Sequence, residues 1–167
     1  MADQTVRVVC VGASGNTRLR HLPGLKESDG VELVSVASRS GESGQRIAVE
    51  FGIQTVYANW VDLIDADDTD AICVGTWPYM HETLVLASLE AGKHVQTEAR
   101  MAMDSEQARS MLAASRLAPG LVTQIVPAPR TLKVDNTIKD LLADGYLGDI
   151  LSIDMTVHQG GFIDHDG

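Results

Sequence analysis

Short, continuous apolar runs alternate along this chain with stretches whose apolar residues recur at helical spacing. Val8–Val11 and Ala71–Val74 are such runs and predict buried strands, while Val31–Ala37, Thr55–Tyr57, Lys93–Thr97 and Leu121–Val126, each too short for a helix, read as further strands. Between them lie the helical stretches. Leu19, Leu22 and Leu25 form a stripe broken by Pro23-Gly24, which predicts a brief helix; Ile47, Ala48 and Phe51 mark a helix over 44–51 that stops at Gly52. A further piece is expected over 59–66. Met80, Leu84, Ala87 and Ala91 predict a helix closed by Gly92, and Asp104 with Gln107 resembles a capping box ahead of Ala108, Met111, Leu112 and Ser115. This rhythm predicts an α/β fold, a doubly wound, mostly parallel sheet covered on both faces, over residues 1–127.

After Pro127-Ala128-Pro129 the pattern changes. Val134, Ile138, Leu141 and Leu142 predict one more helix ending at Gly145, and then Leu151, Ile153, Met155 and Val157 alternate with Ser152, Asp154, Thr156 and His158. Strict alternation belongs to a strand with one wet face, so 128–167 is expected to hold a connecting helix and the first strand of a truncated second domain. A lone strand cannot hold itself together. The chain is therefore expected to be a piece of a longer two-domain protein.

Composition narrows the function. With 23 acidic and 13 basic side chains in 167 residues, nucleic acid and anionic membrane surfaces are disfavoured partners. A phosphate ligand then needs backbone amides and a placed arginine. The amino terminus has neither the basic region nor the apolar core of a signal peptide, and no apolar run approaches the ~20 residues of a spanning helix, so a cytoplasmic location is expected. Cys10 and Cys73 lie in apolar runs with no Cys-x-x-Cys spacing and are expected as buried thiols. No metal site is expected. The acidic run Asp65–Asp70 reads as a solvated turn, and His158 with Asp164-His165-Asp166 as a polar loop whose spacing matches no metal motif.

The candidate chemistry gathers at the ends of the strands. Gly12, Ala13, Ser14, Gly15, Asn16 and Thr17 follow the first strand and open a helix, where free N–H groups face an anion such as a pyrophosphate. A dinucleotide fingerprint has glycine at its first, third and sixth positions; here these are Gly12, Ser14 and Thr17, so only the first is in register. At the end of the second strand stand Ser38, Arg39 and Ser40. An acidic residue there would accept from a ribose 2′-hydroxyl, whereas an arginine pairs with a 2′-phosphate, so NADP(H) is favoured over NAD(H); the alternative is an arginine that simply faces solvent. Gly75, Thr76, Trp77, Pro78 and His81 leave the fourth strand, at the edge where open α/β sheets bind ligands, and are candidates for the cofactor wall. Trp77 either covers a ring of the cofactor or packs on its own domain.

Gly12-Ala13-Ser14-Gly15, His21-Leu22-Pro23, Thr76 with His81, Leu89-Glu90-Ala91-Gly92-Lys93-His94-Val95, Glu98 and Gly145-Tyr146-Leu147-Gly148 together resemble the amino-terminal half of the glucose-fructose oxidoreductase, inositol dehydrogenase and rhizopine catabolism family. The most specific piece is Ala91–Val95 followed by Glu98. The resemblance implies a Rossmann domain, then an α/β domain on a large open sheet that supplies most of the substrate pocket, an aspartate and histidine pair used in catalysis, and the homo-oligomer interface. It implies an NAD(P)-dependent oxidoreductase of sugars, cyclitols or polyols, with Glu98 against the nicotinamide ribose.

One departure stands out. The family follows this glutamate with lysine and proline, the lysine helping to bind cofactor and move the substrate proton; here Ala99 and Arg100 follow Glu98. A methyl group carries neither charge nor proton, and a guanidinium that stays protonated serves as a clamp and not as a base. No catalytic base is assigned; Glu98, Arg100 and His81 are the candidates. A dinucleotide-binding sensor or partner module without chemistry is the alternative reading. A methyltransferase, which wants a carboxylate at the end of the second strand, fits Ser38-Arg39 poorly.

Overall fold

A computed structural model of the chain describes residues 5–12, 14–126 and 134–156. By compactness the chain divides into two units, Met1–Pro127 and Ala128–Gly167. The first is a six-stranded, wholly parallel sheet of order β3-β2-β1-β4-β5-β6, with β1 Val6–Val11, β2 Val31–Ala37, β3 Thr55–Tyr57, β4 Ala71–Val74, β5 His94–Thr97 and β6 Thr123–Ile125. The strand order reverses between β1 and β4. The carboxyl ends of those two strands thus flank a crevice.

The continuous apolar runs have a simple cause, which is burial on both faces. Side chains alternate across a strand, so Val9 and Val11 of β1 join Ile72, Val74 and Val95 in one core with Leu63, Leu84 and Met111. Val8 and Cys10 enter the opposite core with Val36, Ile47, Leu22 and Cys73. Cys10 and Cys73 are register partners on adjacent strands and both are buried; the neighbouring Cys73 thiol, with burial, pushes the Cys10 thiol well up.

Helices follow every strand but the last of this unit, with local differences from the pattern. A π-helical turn, Thr17–His21, runs directly into α1, Leu22–Glu27, with Pro23 in its first turn, where a missing N–H costs nothing. Leu22 is buried, Leu25 packs on the core, and Leu19 is left exposed. Helix α2, Gly41–Phe51, starts earlier than its apolar residues suggest, because Ser40 caps it by accepting from the Ser43 N–H. Asn59 caps α3, Trp60–Ile64, in the same way. A 3₁₀ turn, Pro78–Met80, leads into α4, His81–Glu90, whose buried face is His81, Leu84, Val85, Ser88 and Leu89, a wider face than Met80, Leu84, Ala87 and Ala91 alone. In α5, Ser105–Leu117, the Asp104 side chain accepts from the Glu106 and Gln107 N–H groups and the Gln107 side-chain Oε1 accepts from Met103 N–H, so the expected cap forms. Met111 is buried there, while Leu112 faces solvent.

The amino edge of the sheet is pinned by charge. Arg7 meets Asp70 through two side-chain bonds of 3.0 and 2.7 Å, its own N–H donates to the same carboxylate at 2.8 Å, and Asp70 N–H donates back to Arg7 carbonyl at 2.9 Å. The last residue of the acidic run thus ties β1 to β4 and is more than part of a solvated turn. Lys93 donates to the carbonyls of Ala66 and Thr69 at 3.0 and 2.7 Å, closing the rest of that turn.

In the second unit α6 spans Asp135–Ala143, and Gly145 follows it at a φ of 69°, as the pattern predicts. The strand expected from the alternation at 151–157 does not form: residues 151–156 lie in no strand, and Val157 lies outside the described residues. A strand exists only through hydrogen bonds to a neighbour, and alternation by itself supplies none.

Candidate functional site

The crevice is built first by two glycines. Gly12 ends β1 with a φ of 101°, and a Cβ there would stand 2.8 Å from the backbone of Gly75 and 2.9 Å from Thr76. Only glycine permits both the backbone conformation and the approach. Opposite it, a Cβ on Gly75 would stand 1.9 Å from the Thr17 hydroxyl. The third glycine of a dinucleotide fingerprint lets helix and strand pack closely; here Thr17 occupies that helix position, and the glycine that makes room for it stands just past the end of β4. No local motif reveals this exchange, since Thr17 and Gly75 lie in different segments.

Several of the expected ligand residues are buried. Thr17 is 1% exposed, its hydroxyl shared between Ser14 Oγ at 2.9 Å and Gly75 carbonyl at 3.3 Å, so its side chain packs the turn and offers nothing to a phosphate. Gly75 is buried beneath it. His81, expected in the cofactor wall and as a candidate base, is 0% exposed; its Nδ1 lies 2.9 Å from Arg100 carbonyl and its Nε2 3.1 Å from Thr76 carbonyl. With both ring nitrogens engaged on backbone, the imidazole ties the loop after β4 to the bend after β5 and presents no face to a ligand. Ala13 lies outside the described residues.

Other candidates are open. Gly15 and Asn16 are exposed at the helix start, and nothing stands within 4 Å of where a Cβ on Gly15 would be. Arg39 is exposed beside half-buried Ser38, whose Oγ pairs with Ser43 Oγ at 2.6 Å, while Ser40 caps α2. Trp77 is 70% exposed, so it does not pack on its own domain, and Thr76 and Pro78 are half-buried beside it. Arg100 is exposed. Among the described residues, neither Arg39 nor Arg100 has a carboxylate within 4 Å, whereas Arg7 and Arg18 are each paired.

Glu98, at the end of β5, is held most firmly. Its Oε1 accepts from Asn16 Nδ2 and meets His21 Nε2, and its Oε2 accepts from Ala99 N–H at 3.1 Å. The side chains of His21 and Glu98 are only 9% and 12% exposed. His21 stands in the His21-Leu22-Pro23 piece of the resemblance, but spacing does not reveal its pairing with Glu98, 77 positions away. Among the described residues no group of three metal-ligating side chains forms, and no helix is long and apolar enough to cross a membrane. A concavity of about 440 Å³ lies elsewhere, between α1 and α2; its Arg18 is engaged by Glu50 at 2.6 Å and its Lys26 by Phe51 carbonyl at 3.0 Å.

A dinucleotide fits this geometry: a tight glycine turn with open space above the helix start, a cation without a partner at the end of β2, and a fixed carboxylate at the end of β5. Known proteins similar to this chain agree. It is 35% identical over 138 residues to 1,5-anhydro-D-fructose reductase of Ensifer adhaerens, covering 83% of this chain and 41% of that protein. It is 32% identical over 119 residues to inositol 2-dehydrogenase of Klebsiella pneumoniae strain 342, covering 71% and 35%. A 3-ketoreductase from Actinomadura kijaniata, solved in complex with NADP and TDP-benzene, superposes with a TM-score of 0.73 at 27% identity, covering 85% of this chain and 43% of that one. The chain spans less than half the length of these relatives. Residues 6–123 match the model of an oxidoreductase family with an NAD-binding Rossmann fold, and the chain belongs to that family, the one that takes in the glucose-fructose oxidoreductases, inositol dehydrogenases and rhizopine catabolism proteins.

Proposed function

We propose that this chain is the dinucleotide-binding part of an oxidoreductase acting on a sugar, cyclitol or polyol, and that it takes NADP(H) in preference to NAD(H). Support for the cofactor class comes from the crevice between Gly12 and Gly75, too close-packed for any side chain at its floor and open above Gly15. The preference rests on one observation: the end of β2 carries exposed Arg39 with hydroxyls on either side and no acidic residue. A guanidinium pairs with a 2′-phosphate through two parallel donors, and a missing carboxylate leaves nothing to repel it.

In this reading Gly12, Ser14, Gly15 and Asn16 face the pyrophosphate, Thr76, Trp77 and Pro78 wall the crevice, and Glu98 accepts from the nicotinamide ribose. When bound, the cofactor supplies the hydride. Arg100 holds charge at the mouth of the crevice, and Ala99 neither donates nor accepts a proton there. Residues 128–167 begin a second, substrate-binding and oligomer-forming domain, and the protein works in the cytoplasm. Ala99 also favours a second reading, a domain that binds the nucleotide and carries out no chemistry. Turnover of a polyol panel with NADP by the protein containing its second domain separates the two.

The cofactor claim is tested by titrating the purified chain with NADPH and NADH and following nicotinamide fluorescence. NADPH is expected to bind at least about tenfold tighter, a difference of about 1.4 kcal/mol from charge-assisted hydrogen bonds, and Arg39→Ala to remove most of that gap. Equal affinities in the unsubstituted chain would overturn the preference.

A further inference from the structure

We infer that His21 is a positioning residue for the nicotinamide half of the cofactor, acting through Glu98 together with Asn16. The inference rests on the dinucleotide reading above and adds a residue that the glycine turn and the glutamate motif do not contain.

The argument starts from the helix. Residues four apart share a helix face, so Thr17 and His21 both look toward the sheet, Thr17 onto Gly75 at the end of β4 and His21 onto Glu98 at the end of β5. The π-helical turn between them widens the helix just where the two contacts are made, and such turns are frequent at functional sites. One helix start therefore braces both strand ends on the nicotinamide side of the crevice.

Glu98 needs that brace. A glutamate at a strand end has several rotamers to lose when a ligand orders it, and each ordered side chain costs affinity. Here His21 Nε2 and Asn16 Nδ2 engage one carboxylate oxygen and Ala99 N–H engages the other, so the carboxylate is oriented before any ligand arrives. Each carboxylate oxygen has more than one acceptor site, which leaves room for a ribose hydroxyl to donate. Ala99 supplies no side-chain donor, and Arg100 is exposed with no bond to Glu98, so among the described residues His21 is the one group able to carry positive charge that meets this carboxylate. The geometry makes His21 a support for the glutamate and gives it no direct part in the reaction.

The test separates the two halves of the ligand. Wild type, His21→Ala and His21→Gln are titrated with NADPH and with 2′,5′-ADP, which carries the adenosine and its 2′-phosphate but no nicotinamide ribose. Each variant's thermal unfolding midpoint is measured alongside. His21→Ala is expected to weaken NADPH binding about tenfold, the loss of one charge-assisted bond to a preset acceptor, and to change 2′,5′-ADP binding less than twofold. His21→Gln, which keeps a donor on a side chain of similar reach, is expected to recover most of the loss. Should the alanine variant fail to fold, His21→Leu, which fills the space without a donor, takes its place in the comparison. Equal losses for both ligands in the donor-less variant would make His21 a general structural residue and overturn the inference, as would NADPH binding unchanged in that variant. If the unsubstituted chain binds 2′,5′-ADP but holds NADPH no tighter, the positioning role falls while the 2′-phosphate reading stands; if it binds neither, both fall.

Discussion

The two edges of the sheet carry the same kinds of charged side chain and use them in opposite ways. At the amino edge Arg7 is locked on Asp70 and Lys93 on two carbonyls, so every one of those cations is turned inward on the chain itself. At the carboxyl edge Arg39 and Arg100 stand exposed without a carboxylate among the described residues, and the polar groups that are held, Glu98 and His81, are held by backbone or by the helix start. The contrast teaches that charge alone does not mark a site in this fold. A cation whose partner is already present is a fastener, and one left without a partner beside a glycine crevice is available to a ligand.

Breaking the carboxyl edge at its floor should have the largest effect. Gly12→Ala would force a Cβ to within 2.8 Å of Gly75 backbone and an alanine to a φ of 101°. It is expected to destabilise the chain by roughly 3 kcal/mol or more and to abolish NADPH binding, read by chemical denaturation and by fluorescence titration. Binding retained at full strength would mean that the crevice is not where the nucleotide sits.

A somewhat smaller loss is expected one layer down. His81→Ala leaves the Thr76 and Arg100 carbonyls facing a cavity, at a cost of about 2–4 kcal/mol from buried groups without partners. The denaturation midpoint falls, and NADPH affinity falls with it because the wall after β4 loses its tie. A variant that loses stability yet binds NADPH as wild type would show that the wall is set by the sheet alone.

The smallest effect belongs to the amino edge and sharpens the contrast. Asp70→Asn is expected to cost no more than about 1 kcal/mol, because the pair is partly exposed and screened by solvent, and to leave NADPH binding unchanged. It should also alter the acid limb of stability. The Arg7 hydrogen bond lowers the Asp70 carboxyl from its ordinary 3.8 to about 2, so the folded state holds it charged where the unfolded state has begun to take up a proton. The stabilisation is complete above about pH 4 and is lost as the pH falls through about 2. Unfolding midpoints of wild type and Asp70→Asn should therefore differ most above pH 4 and converge toward pH 2. A gap that stays constant down to pH 2 would remove the ion pair as its cause.

The motif that carries the family resemblance most strongly illustrates how a sequence signal and a functional site diverge. Within Ala91–Val95, Lys93 fastens the turn at the amino edge, at the far end of β5 from Glu98. Its value as a signature comes from a structural task, while the residue that supports Glu98, His21, sits in the first helix. Asp70 is similar. In the sequence it is the end of an acidic run, and in the fold it is the counter-charge of Arg7.

The linear order of residues was enough to determine the strands of the first unit and their mostly parallel arrangement, because strands alternate with helices whose apolar residues recur with a period near four, whereas the strand order and its switch point came from the fold. It was also enough to place Gly12, Arg39 and Glu98 at strand ends. Tertiary structure alone decided which of their neighbours are buried and which stay exposed. Thr17 turned inward because Gly75, just past the end of β4, leaves it space; His81 was sealed by two carbonyls from separate loops; and the alternation at 151–157 found no partner to pair with in residues 151–156. Each of these outcomes depends on atoms brought together from distant positions, and spacing along a chain records only what lies nearby in sequence.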